Sequence, residues 1–177
     1  MNIEEHKHRF AVWAAGRAAS VKGCRFTVAQ AKIMLEVAGF KPELSTPAKL
    51  PLPQAIDSVH RAWREKVINK AHELSIHAIT HGVAAKLINI YLKAIFVCGG
   101  HHDHPSVQSL HPPIDSILLS ELSVQNFGGF QKAWDEARKI RWSKLNSDQY
   151  ETVIKNIRVS MPNQALWKIE QYWQGHQ

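Results

Sequence analysis

Cysteine is nearly absent: Cys24 and Cys98 are the only two in 177 residues. Two thiols cannot build a disulfide framework, a four-cysteine zinc site or an iron–sulfur cluster, and free thiols fit a reducing cytosol. No uninterrupted apolar run approaches the roughly 18 residues that a membrane span requires. The opening MNIEEHKHRF is polar and charged, with no apolar signal core, which predicts a cytoplasmic chain. Internal repeats, low-complexity tracts and sustained period-two alternation are all missing, so strands are not expected. Acidic residues are in the minority, with 15 Asp and Glu against 22 Lys and Arg, for a net charge of +7. That balance favours anionic partners such as nucleic acid, phosphorylated ligands or an acidic membrane face.

What is present reads as helix. Apolar residues make up 45% of the chain, enough to fill the core of one compact all-α domain over residues 1–177. Seven or eight helices are predicted. The first spans His8 to Ser20. The second is opened by Thr27 with Gln30 as a capping box and closed by Gly39. Four prolines between residues 40 and 53 predict an extended connection, followed by a helix from Gln54 to Leu74. A strongly apolar helix is expected from Val83 to Val97, with Val83, Leu87, Tyr91 and Ile95 as its core stripe and Ala84 and Ile88 alongside. Pro112 and Pro113 suit the first turn of a helix running through Leu122. Amphipathic segments then follow at Gly129–Lys139, Asp148–Val159 and Asn163–Trp173, with Asp148 and Glu151 as a capping pair.

Two short stretches carry chemistry: His81-Gly82-Val83-Ala84-Ala85-Lys86, and downstream His111-Pro112-Pro113-Ile114-Asp115. Taken alone, Lys86 lies with Asn89 and Lys93 at i, i+3 and i+7, the ordinary polar side of an amphipathic helix. Its surroundings add a second possibility. A glycine-led turn opening an apolar helix leaves backbone amides free for a phosphate. A lysine in the first turn feels the positive end of the helix dipole, which disfavours its protonated form and suits a nucleophilic amine. Asp115, in the first turn of its own helix, sits where that dipole favours a negative charge able to stabilise a cationic transition state.

A turn with Gly, a Lys near the start of an apolar helix and a Pro-x-Asp opening another helix resemble the helix-hairpin-helix DNA glycosylases. The similarity covers residues 76–122 and is greatest to the archaeal type of 8-oxoguanine glycosylase, whose hairpin is also atypical. The resemblance implies Lys86 as catalytic lysine, Asp115 as catalytic aspartate, and His81, Gly82 and Val83 as part of a DNA-gripping hairpin. It implies a monomeric enzyme without metal or cofactor that flips a modified base out of DNA and excises it. The base would be 8-oxoguanine or a bulky hypermodified base of foreign DNA, placing the protein in repair or in defence. Lys93 and the basic patch Arg17, Lys22 and Arg25 are candidate phosphate contacts, and His111 and Trp13 candidate base-pocket residues.

Other features read more plainly. The run His101, His102, Asp103, His104, with Cys98, matches no metal-ligand spacing and reads as a polar loop. Trp13, Trp63 and Trp134 fit helix core faces, and Trp167 and Trp173 seal the C-terminal helix. The competing functional reading is a non-catalytic helical module that binds DNA through its positive surface.

Overall fold

Asn2 begins the first helix. Its side chain accepts the Glu5 amide at 2.8 Å, so α1 (Ile3–Ala19) starts a full turn before the alanine-rich pattern does. The computed structural model describes residues 1–176. The Thr27–Gln30 capping box opens α2 (Val28–Val37) as expected, and Gly39 takes the left-handed conformation beyond its end, at φ 104°. The proline-rich connection is not wholly extended: Pro47–Lys49 and Pro53–Ala55 each form a 3₁₀ turn with proline leading, where a missing amide costs nothing.

The remaining helices are α3 (Ile56–Glu73), α4 (His81–Leu92), the short α5 (Pro105–Gln108), α6 (Ser116–Val124), α7 (Gln131–Ile140) and α8 (Ser147–Ser160). Past Leu92, α4 widens into a π-helical stretch, Lys93–His101, that ends where Gly100 turns left-handed at φ 90°. No strand occurs among the described residues; the sole bridge joins Val21 and Cys24.

Three expected boundaries change. Pro112 and Pro113 precede α6 instead of forming its first turn, and Asp115 is its N-cap, the Oδ1 atom accepting the Leu118 amide at 2.9 Å. Asn146 and Gln149, not Asp148 and Glu151, form the capping box of α8. The C-terminal segment is a 3₁₀ strap, Leu166–Tyr172, in place of an amphipathic α-helix.

The predicted stripe of α4 (Val83, Ala84, Leu87, Ile88, Tyr91 and Ile95) is buried throughout. It belongs to a first apolar core built with α1, α2 and α3. A second core gathers Ile114 and residues of α6, α7, α8 and the strap, with Ala85 as the contribution of α4. The polar side of α4 faces the seam between these cores. Lys86 and Asn89 are therefore buried where an ordinary amphipathic helix would be wet. The helical run His81–His101 has the length and hydropathy of a bilayer span, but 67% of its apolar window is buried inside the protein. It is the central helix of the fold.

Segment 142–145 closes the seam at the start of α4. Thr80 Oγ1 donates to the Ser143 carbonyl at 2.9 Å, and the Gly82 amide donates to the Leu145 carbonyl at 3.1 Å. A Cβ at Gly82 would lie 1.8 Å from the Trp142 carbonyl oxygen. Gly82→Ala must push two backbones apart and is expected to cost about 3 kcal/mol. A chemical denaturation midpoint within error of wild type would refute this close approach.

Candidate active site

Burial on α4 and capping on α6 create the site. Lys86 lies in the second turn of α4, not the first, so the helix terminus is not what acts most on its amine. Lys86 is only 6% exposed, and desolvation, opposed by Asp115, lowers its pKa from the usual lysine value. The direction matches the expectation; the cause is burial. Lys86 Nζ donates to Asp115 Oδ2 at 3.0 Å, across a part-buried contact that joins α4 to the N-cap of α6. The same oxygen accepts Trp173 Nε1 at 3.0 Å, from just beyond the strap. With Oδ1 held by the Leu118 amide, the carboxylate is fixed in orientation on both oxygens.

Aromatic and charged residues enclose this pair. The Lys86 ammonium lies 5.4 Å from the centroid of the Trp142 ring. Two helical turns further along the seam, Lys93 forms an ion pair with Glu170 of the strap. Burial raises the Glu170 pKa against the opposing pull of Lys93. Lys86, Lys93, Pro113, Asp115, Glu170 and Trp173 border a cavity of about 60 Å³. It has room for water and none for a nucleobase.

Several predicted site residues take other roles or lie elsewhere. Lys93 is half-buried and paired, so it offers no free charge to a phosphate. The α4 start is likewise taken: the Val83 amide is capped by Thr80 Oγ1, and the Gly82 amide is bonded to Leu145. His81 is half-buried, with a buried Nδ1 that finds no partner among the described residues. Trp13 is 53% exposed on α1, where it packs on Phe10, because the small residues Ala11, Ala15 and Ala19 form the face that meets α4.

His111 does not line the Lys86 cavity. It is buried in a separate polar cluster, with Nδ1 at 3.0 Å from Tyr150 Oη and Nε2 at 2.8 Å from Asp57. In that cluster Asn89 donates to the Pro112 carbonyl and to Tyr150, and its Oδ1 meets His60 Nε2 at 2.8 Å. Burial holds both His60 and His111 below the usual imidazole pKa. The histidine loop divides as well: His104 caps α5 by accepting the Ser106 amide, far in role from the buried His111.

Arg17, Lys22 and Arg25 are exposed, as a nucleic-acid contact requires. Trp142, Glu170 and Trp173 are the site residues that sequence reasoning did not assign to it. Only their tertiary neighbours mark them, since Lys93 and Glu170 lie 77 positions apart. In comparisons with known proteins, no family model, no curated protein and no solved structure matches the chain.

Proposed function

We propose that the protein is a DNA glycosylase of the helix-hairpin-helix kind, with Lys86 as nucleophile and Asp115 as the carboxylate that stabilises the reacting sugar. One observation carries this reading: a buried lysine of lowered pKa lies 3.0 Å from a carboxylate held in orientation by a helix amide and an indole. A buried ion pair adds little to stability that an apolar pair would not. Its value lies in chemistry: burial makes the amine easier to deprotonate, beside a carboxylate held in place to face positive charge.

The reaction begins with extrusion of the target nucleotide from the duplex. Trp173 gives up its bond to Asp115, and the strap moves aside to admit the sugar to the small cavity. As the glycosidic bond lengthens, positive charge on the sugar faces Asp115. Attack forms the Nζ–C1′ bond; the departing base takes the glycosidic electron pair and a proton shed by the amine. The C1′–O4′ bond of the resulting aminal then breaks, O4′ taking a proton and the nitrogen lone pair forming C=N; this Schiff base permits strand cleavage by β-elimination. If water attacks instead, Asp115 takes its proton and a plain abasic site remains.

A panel of labelled duplexes tests this, carrying 8-oxoguanine, uracil, alkylated bases, and plain or glucosylated hydroxymethylcytosine. Wild type is expected to release one of these bases, and Asp115→Asn to slow that release by about a hundredfold or more. Borohydride trapping of a covalent adduct identifies the lysine route; base release without an adduct identifies the water route. No release from any duplex, with salt-sensitive DNA binding intact, would replace the enzyme with a non-catalytic DNA-binding module.

A further inference from the structure

A larger cavity of about 580 Å³ opens between α6 and α7, lined in part by Trp142, whose ring lies 5.4 Å from Lys86 Nζ. Its walls carry Arg138, Lys139 and Arg141, with Ser116 and Ser120 of α6 facing them. The one carboxylate present, Asp135, is already engaged by Ser123 Oγ at 2.6 Å and by Arg138 at 3.1 Å. Among the described residues Lys139 and Arg141 form no ion pair. The volume falls in the range of ligand sites, roughly 300–1,000 Å³, and two free cations at its rim select an anion.

The basic surface continues beyond the cavity. The Val21–Cys24 turn adds exposed positive charge elsewhere on the surface. Lys22 sits at the tip of that turn, and Arg25 directly follows it. Lys22, Arg25, Lys144, Arg141 and Lys139 are all exposed, with no acidic partner paired to any of them among the described residues. Arg141 holds φ 75°, a left-handed conformation that a non-glycine residue adopts only when its surroundings impose it. The groove is also held in register with the reactive pair. The Ser143 carbonyl in its wall accepts from Thr80 just before α4, and Ser116 in its opposite wall directly follows Asp115.

We infer that this groove is the DNA-strand site: Lys139 and Arg141 bind phosphates flanking the target nucleotide, and Trp142 forms the wall between strand and Lys86. It takes over the task assigned on sequence to the α4 hairpin, whose Gly82 and Val83 amides are already bonded within the protein. The inference deepens the glycosylase reading and rests on it only for the role of the neighbouring Lys86.

The test is fluorescence anisotropy with a labelled DNA duplex in the Lys86→Gln background, which leaves the probe intact. Lys139→Glu and Arg141→Glu change exposed side chains, so the fold is retained, and circular dichroism verifies this. Each is expected to weaken binding about tenfold or more and to flatten the dependence of log affinity on log salt by about one unit. Lys41→Glu and Lys66→Glu, equal charge changes outside the groove, are expected to stay within about twofold. Groove variants that bind like these controls would overturn the inference, and so would tighter binding of an RNA duplex of the same sequence. The two readings fail separately. Groove-dependent binding without base release sinks only the catalytic reading, whereas base release with groove-independent binding sinks only the groove.

Discussion

Lys86→Gln is expected to abolish base release, with a loss of about a thousandfold or more in single-turnover rate, while duplex affinity stays within about threefold of wild type. Glutamine keeps a hydrogen-bond donor within reach of Asp115 but has no nucleophilic lone pair. The affinity expectation follows from geometry: Lys86 is buried and paired, so its charge is not one that a phosphate meets on docking. The contrast between rate and affinity separates the enzyme from the binding module, in which the rate has no meaning and any affinity change is small. Retention of a tenth or more of the wild-type rate would remove Lys86 as nucleophile. The remaining expectation would then centre on Asp115 and water. Loss of affinity by a factor of ten or more would instead show that Lys86 meets the strand directly.

Glu151→Gln is expected to cost as much stability as the Gly82 substitution, by a different mechanism. Arg64 is fully buried, with its guanidinium 4.6 Å from the Tyr150 ring centroid, and Glu151, at 2.6 Å, is its one carboxylate partner among the described residues. Two further guanidinium nitrogens, Nε and Nη1, are buried with no hydrogen-bond partner among the described residues. Neutralising Glu151 leaves that cation uncompensated, at a cost of about 3 kcal/mol, or a fall of roughly 10 °C in Tm for a domain of this size. The pH dependence has a definite sign. Hydrogen bonding to Arg61, with the Arg64 contact adding to it, lowers the Glu151 pKa from 4.5 to about 2. Its stabilisation is therefore complete above about 4.5 and is lost as pH falls towards 2. Denaturation of wild type and variant should differ most near neutrality and converge at pH 2. A constant difference across that window would show that the carboxylate is not the group responsible. Both proteins should also weaken below about pH 6.5. There the unfolded chain takes up protons that the buried His60 and His111 refuse.

Local features were legible in the sequence wherever the physics is local. The all-α class, the core stripe of α4 and the Thr27–Gln30 cap depend on residues within one or two helical turns of each other. The juxtaposition of Lys86 and Asp115 entered through a family resemblance, and the structure brings the two together at 3.0 Å. The physical setting of the lysine differs from the sequence expectation, because a helix dipole is readable from position whereas burial is not. Trp13 shows the same limit. Its spacing fits a core face, yet α1 packs through its small residues, and the large aromatics are left outside.

Helical spacing places Lys86, Asn89 and Lys93 on one polar stripe, and nothing in that spacing distinguishes a wet face from a seam. Tertiary structure decided the matter by laying a second core against the stripe. Each polar residue then found a partner far along the chain: Lys86 with Asp115, Asn89 with Tyr150, and Lys93 with Glu170. The physical reason is that burying a charge or an amide is costly without a partner. Such partners come from wherever the fold brings complementary groups together, and helical period encodes nothing about them. For the same reason the hairpin has no amides to offer a phosphate, the chain itself having claimed them, whereas Lys139 and Arg141 at the groove remain exposed and unpaired among the described residues.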